Sequence, residues 1–252
     1  MSGTLNPLFI TVRTGSTRLP NKALLKIRDK TTIEHLIKRV KKSKLANEIV
    51  LCTTTLSQDD VLCEIAEKNN IKYYRGSVED KLERWKGAVD QYNVDFFVTA
   101  DGDDLFCDPE LIDLAFKQYQ QNNCDFIKSE GVICGAFTYG IKASALRAVC
   151  EIKDTDNTEM MWVYFTDTGL FNVENLQNIP SEFMRTDIRM TLDYIDDLVF
   201  FARIIESFET DDFSLRDIVS LIDENPRIKD INLYLEEEWK NNQLAKTTLK
   251  LK

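Results

Sequence analysis

Pro7-Leu8-Phe9-Ile10-Thr11-Val12 empties into Arg13-Thr14-Gly15-Ser16-Thr17-Arg18-Leu19-Pro20-Asn21-Lys22. The first stretch has the length and apolar content of a buried strand. The second is a Gly/Ser loop carrying three cations. Backbone N–H groups of such a loop cradle phosphate oxygens, and Arg and Lys neutralise them. The spacing is not that of a Walker A loop, and with Gly15 as its only glycine it is not a dinucleotide fingerprint. The same residues also read as a basic surface turn. Because the whole chain carries a net charge of −10, this cationic knot is local.

Outward from that stretch, strand and helix patterns alternate. Strand-like runs lie at 8–12, 48–53, 72–75, 96–100 and 126–128, with helical patterns at about 31–43, 58–69, 79–92 and 109–122. Apolar residues at 33, 36, 37 and 40 form the stripe of a core-facing helix. Asp108-Pro109-Glu110 is a helix start, with Asp as cap and Pro in the first turn. The rhythm predicts an α/β fold with a mostly parallel central sheet flanked by helices. In such sheets ligands sit outside the carboxyl ends of the strands, which places 13–22, 77–80 and 101–104 on one rim. Residues 130–190 read as a smaller mixed region of extended segments and turns, with strand-like 135–141 and 169–173. A strand-like 189–192 follows, then helices at 194–208 and 214–224, and a charged surface segment over 226–252. No repeat or linker divides the chain, so 1–252 reads as one domain.

The chain has 252 residues, 43% hydrophobic and 29% charged, as expected of a globular protein in water. Its acidity argues against a nucleic-acid partner, and no apolar run approaches bilayer length. The opening MSGTLNPLFI lacks a charged n-region and a cleavage site, which predicts a cytoplasmic location. The six cysteines, at 52, 63, 107, 124, 134 and 150, are widely spaced with no C-x-x-C, so reduced thiols are expected. A single histidine, His35, excludes an ordinary zinc site and reads as a flanking or capping residue.

Phe96-Phe97-Val98-Thr99-Ala100 ends in Asp101-Gly102-Asp103-Asp104. Hard carboxylate ligands at a strand's end suit Mg²⁺ or Mn²⁺, and a solvated acidic turn is the other reading. Asp101-Gly102-Asp103 also satisfies the D-x-D metal motif of glycosyltransferases that use nucleotide-sugar donors. Further on, Thr158-Glu159-Met160-Met161-Trp162-Val163-Tyr164-Phe165 reads as core, as an interface or as a wall for a sugar-like substrate. Lys142, Arg185 and Arg189 are cations available to an anionic acceptor, or plain surface charges.

The pattern R-x-x-S-x-R-L-P-x-K after a first strand resembles the nucleotide loop of the cytidylyltransferases that make CMP-activated sugar acids, nearest the spore-coat-polysaccharide type. Three more segments share that resemblance. Thr99-Ala100-Asp101 with Asp108-Pro109-Glu110-Leu111-Ile112 is similar to the family's T-x-D…D-P-E-L-I. Arg189-Met190-Thr191-Leu192-Asp193 with Asp197-Leu198 is similar to R-x-T-x-D-x-x-x-D-L, and Gly76-Ser77-Val78-Glu79-Asp80 to G-S-x-E-D. Gly102-Asp103-Asp104-Leu105-Phe106 departs from the family's shorter turn. The resemblance implies a Rossmann-like nucleotidyltransferase that moves CMP from CTP to a sugar acid or small phosphorylated acceptor, in glycan precursor synthesis.

It implies Arg13, Lys22, Asp101 and Asp193 as catalytic residues, and nucleotide contacts from Arg13, Gly15, Ser16, Arg18, Lys22, Ser77 and Asp80. Mg²⁺ or Mn²⁺ would sit on Asp101 and Asp193, helped by Asp103 or Asp104. The acceptor would lie in 130–190, touching Lys142, Glu159, Trp162, Arg185 or Arg189, a region also implied to join a homodimer. Two of these motifs have bland counterparts: Asp193 as an N-cap, and Ser77 to Asp80 as a capping box.

Overall fold

The computed structural model describes residues 5–252. In chain order it contains β1 (Pro7–Thr11), β2 (Lys26–Ile27), β3 (Lys30–Thr31), α1 (Thr32–Val40), β4 (Glu48–Thr54), α2 (Asp60–Lys68), β5 (Lys72–Gly76), α3 (Lys81–Tyr92) and β6 (Phe96–Asp101). There follow α4 (Pro109–Asn122), β7 (Phe126–Lys128), β8 (Tyr139–Lys142), α5 (Ala143–Ile152), α6 (Val163–Thr166), β9 (Val173–Asn175), α7 (Ile195–Ser207), α8 (Leu215–Glu224) and α9 (Glu236–Lys246).

Successive residues of β1 enter opposite cores, as the two-residue period of a strand requires. Leu8 and Ile10 pack with Leu51, Val98 and the apolar faces of α1, α2, α4, α7 and α8. Phe9 packs the other way, with Val50, Phe97 and α3, α5 and α6. Both faces of the sheet are therefore covered, which is why β1, β4 and β6 are almost uninterrupted apolar runs. Burying each such Phe or Leu favours the fold by about 1.5–3 kcal/mol. Trp85 of α3 is fully buried and gives its indole N–H to Thr11 Oγ1 at 2.7 Å, so its polar atom is not stranded.

The seven-stranded sheet has the order β5-β4-β1-β6-β8-β7-β9. β5, β4, β1 and β6 run parallel; β8 is antiparallel to both β6 and β7, and β7 runs parallel to β9. β2 and β3 form a separate antiparallel pair. From β1 the chain moves outward to β4 and β5 and then returns to β6 on the other side. The strand order thus reverses between β1 and β6, and a crevice opens at their carboxyl ends. Thr11 lies opposite Asp101 there, so the cationic loop and the acidic turn leave the sheet side by side.

The α/β architecture, the five early strands and the helices through 122 are as expected, and α4 matches its expected bounds of 109–122. Three expectations are corrected. The segment read as extended between 130 and 190 contains helix α5. The strand expected over 189–192 is a single bridge between Cys134 and Arg189. The strands expected over 135–141 and 169–173 form later, as β8 and β9. All six cysteines are free thiols, and among the described residues no helix is long and apolar enough to cross a membrane.

Candidate active site

The loop after β1 is shaped by groups that hold its backbone. Thr14 donates its N–H and its hydroxyl to Asp59 Oδ1, at 2.8 and 2.6 Å, and Asp59 is buried. Asn21 adopts a left-handed conformation (φ 54°) that turns the chain back inward. Lys22 follows, its carbonyl accepting the Thr32 hydroxyl at 2.6 Å. Its ammonium then bridges Asp103 Oδ2 at 2.6 Å and Asp193 Oδ1 at 2.8 Å. Arg18 Nη2 reaches the same Asp193 oxygen at 2.5 Å. Arg13 faces the opposite wall, donating to the Val78 carbonyl at 3.1 Å and lying 3.8 Å from Glu79 and 3.9 Å from Glu159.

The acidic turn is held equally close to β1. Gly102 N–H donates to the Thr11 carbonyl at 2.8 Å, and a Cβ there would stand 2.6 Å from Val12 Cβ. Only glycine permits this approach of the two chain segments. Asp101, Asp103 and Asp104 each place a carboxylate oxygen within 4.8 Å of the others. Lys81, in the first turn of α3, gives its ammonium to Asp101 Oδ1 at 2.7 Å.

Burial pushes the Asp103 carboxyl up, and Asp193 and Asp101 beside it add to the rise against the pull of Lys22. Asp104, buried beside Asp103 and Asp101, is pushed up further. Burial also opposes ionisation of Asp193, but Lys22 and Arg18 outweigh it and hold its carboxyl at about 2. Crowded carboxylates of this kind are a donor set that fits a hard divalent cation such as Mg²⁺ or Mn²⁺.

Two hollows meet at this point. A cleft of about 440 Å³ is lined by Arg13, Gly15, Ser16, Arg18 and Lys22 from the loop, and by Asp101, Asp103 and Asp193. A larger cavity of about 740 Å³ extends from it beneath β7, β8 and the segment before α6. Lys81, Asp101, Asp103, Glu159, Met160 and Gln243 line both. The geometry is that of two adjoining sites, the smaller lined by the cations of the loop, with acids at their junction.

The structure therefore brings Arg13, Gly15, Ser16, Arg18, Lys22, Asp101, Asp103, Asp193, Glu159 and Trp162 to one rim. Others fall elsewhere. Asp193 lies outside the three-carboxylate cluster, joined to its edge by Lys22, which bridges Asp193 and Asp103. Nor is Asp193 the cap of α7: Asp197 Oδ2 takes the N–H groups of Asp193 and Tyr194 at 2.8 and 2.9 Å. Asp80 caps α3 and is consumed by Lys153 at 2.5 Å and Thr158 at 2.7 Å, while Ser77 takes the Asp80 N–H at 3.1 Å and lines neither hollow.

Lys142 pairs in register with Phe96, at the end of β6 opposite Asp101, and sits 3.6 Å from Asp125. Arg185 is held by Asp187 and Asp223 outside both hollows. Arg189 is fully buried, ion-paired to Asp197 at 3.1 Å and Glu236 at 3.2 Å, and 3.7 Å from Asp193. It cannot meet an acceptor and acts instead as a buried strut. His35 is likewise structural, its Nε2 lying 3.0 Å from the Ile27 carbonyl.

Sequence reasoning missed Lys81, although it directly follows the capping Asp80. It also missed the inner face of the tail. The stretch 226–252, expected as a surface segment, supplies Trp239, Lys240, Gln243 and Leu244 to the large cavity and Lys246 to the cleft.

A family model described as Cytidylyltransferase matches residues 8–205 of the chain. An uncharacterized protein of Methanocaldococcus jannaschii is 33% identical over 227 residues, covering 89% of this chain and 93% of that protein. The spore coat polysaccharide biosynthesis protein SpsF of Bacillus subtilis is 26% identical over 229 residues, covering 86% and 94%. Among solved structures, a cytidylyltransferase from Leptospira borgpetersenii superposes with a TM-score of 0.80 at 29% identity, over 89% of this chain and 96% of that one.

Proposed function

The chain belongs to the cytidylyltransferase family and is a nucleotidyltransferase; from that premise we propose that it transfers CMP from CTP to a sugar acid or small phosphorylated acceptor, releasing pyrophosphate, in making a surface polysaccharide precursor. That membership sets aside glycosyl transfer, the other reading of Asp101-Gly102-Asp103. The observation that carries the proposal is the convergence of Lys22 and Arg18 on Asp193 and Asp103 at the junction of the two hollows. Groups separated by up to 175 residues in sequence meet where a triphosphate and an acceptor can lie end to end. The spore-coat relative supports the polysaccharide setting.

In this scheme the triphosphate lies along the smaller cleft, its β- and γ-phosphates against Arg13, Arg18 and Lys22. An acceptor oxygen in the larger cavity attacks the α-phosphorus; the new O–P bond forms as the α–β bridge breaks, and pyrophosphate takes the electron pair. The three cations stabilise that leaving charge, and holding both reactants in line lowers the barrier further. The acceptor hydroxyl loses a proton as the bond forms. That proton passes to solvent at the open junction of the two hollows. Asp101 and Asp103, with Asp104, would hold Mg²⁺ or Mn²⁺, which when bound supplies charge neutralisation at the α-phosphate. A homodimer completes the proposal.

Purified protein should release pyrophosphate from CTP with Mg²⁺ and one member of a panel of sugar acids and polyol phosphates, and far more slowly from UTP, ATP and GTP. No release from CTP with any acceptor would remove the proposed reaction.

A further inference from the structure

Helix α9 lies beyond residue 205, where the family match ends. None of its residues is buried in a core, so core packing does not account for the tryptophan on this helix. Trp239, Lys240, Gln243 and Leu244 follow helical spacing and form one wall of the large cavity. Gln243 and Lys246 also border the cleft. The helix is tied down at both ends. Glu236 is ion-paired to Arg189 at 3.2 Å, and beyond Lys246 the backbone bridges Lys153 through Leu251. Arg189 also lies against the Trp239 ring, 4.9 Å from its centroid, and so links this wall to Asp193, 3.7 Å away.

Two polar atoms on this wall are sealed from water with no hydrogen-bond partner among the described residues: Trp239 Nε1, a donor, and Gln243 Oε1, an acceptor. An unpaired buried group costs about 1–3 kcal/mol, and native structures rarely leave one without a reason. Both residues are half-buried as wholes and line the cavity, so each side chain must rotate for these atoms to meet an occupant there. They stand one turn apart. A hydroxyl group both gives and accepts a hydrogen bond and satisfies the pair.

We propose that α9 is the acceptor-reading wall of the active site, with Trp239 Nε1 and Gln243 Oε1 binding hydroxyl groups of a polyhydroxylated acceptor. The inference rests on the cytidylyl-transfer reading and extends it. A site built to pair a hydroxyl rejects analogues that lack it, so acceptor choice resides in a segment the shared motifs do not include. Arg189 is the positioning residue for this wall.

Trp239→Phe keeps an aromatic ring beside Arg189 while removing the N–H together with the fused five-membered ring; Gln243→Leu removes the acceptor atom. With the best substrate from the panel of sugar acids and polyol phosphates, each variant should raise the acceptor KM about 10-fold and leave the CTP KM within about twofold. In ¹⁵N-labelled wild type, the indole signal missing from the Trp239→Phe spectrum should move when that acceptor is added with a CTP analogue blocked at the α–β bridge. It should not move with the analogue alone. An unchanged acceptor KM in both variants, or a KM change with an unmoved indole signal, overturns the inference while leaving cytidylyl transfer intact. Absence of pyrophosphate release in the wild type fails the reaction itself, and this inference with it.

Discussion

The two hollows of this active site are built on opposite plans. In the nucleotide cleft almost every charged group already has a partner: Lys22 with Asp103 and Asp193, Arg18 with Asp193, Arg13 with Glu79 and Glu159. The acceptor cavity is larger and carries unpaired polar atoms on a helix that belongs to no core. A triphosphate presents the same charges in every nucleotide, so a preformed cationic cradle serves it. An acceptor is recognised by where its hydroxyls fall, and that calls for donors and acceptors held free. Pre-paired charge goes with a generic handle, and unsatisfied polarity with a selective one.

The largest effect should come from breaking the charge network. Lys22→Met and Asp193→Asn should each lower the rate of pyrophosphate release about 10³-fold at saturating substrates, as loss of a preorganised charge at the reacting centre does. A loss under tenfold in either would mean that the cleft is not where charge develops. Next, Lys81 borders both hollows and neutralises Asp101. Lys81→Met should cost about 10–100-fold and raise the apparent KM of both substrates. A change confined to one substrate would redraw the boundary between the two halves.

A third effect concerns stability. The Asp193 carboxyl is held at about 2, below its ordinary 3.8, which corresponds to roughly 2 kcal/mol of folding free energy. That contribution is complete above about pH 4 and disappears as the pH falls through about 2. Asp104, whose carboxyl is pushed up, contributes with the opposite sign, so the comparison that isolates Asp193 is with Asp193→Asn. Urea midpoints should show the gap between wild type and variant closing between pH 4 and pH 2; a constant gap would detach Asp193 from Lys22 and Arg18. Smallest of all, Lys142→Ala and Arg185→Ala should leave turnover and both KM values within about twofold, since each cation is spent on a partner outside the hollows.

The halves also differed in how legible they were. The nucleotide loop is ten consecutive residues after an apolar strand, and its acids end another strand, so local pattern located both. That Asp193 meets Lys22 across 171 residues follows from topology; the resemblance put both in one site without pairing them. The tail read as solvent-facing because Glu236-Glu237-Glu238-Trp239-Lys240-Asn241-Asn242-Gln243 has no apolar stripe. Its role comes from tertiary anchoring at Arg189 and Lys153, which no local period encodes. Helix α5 is a different kind of miss. Apolar residues at 143, 145, 146, 149 and 150 do mark a helical face, but the strand immediately before it drew the reading toward extended structure.

The most direct test is a crystal structure of the protein with Mg²⁺ and a CTP analogue blocked at the α–β bridge. The triphosphate should lie in the smaller cleft, with its terminal phosphates on Arg13, Arg18 and Lys22, its α-phosphate facing Asp101 and Asp103, and the larger cavity left open beside α9. A triphosphate seated in the larger cavity against Trp239 and Gln243, or away from the loop, would contradict the assignment of the two halves.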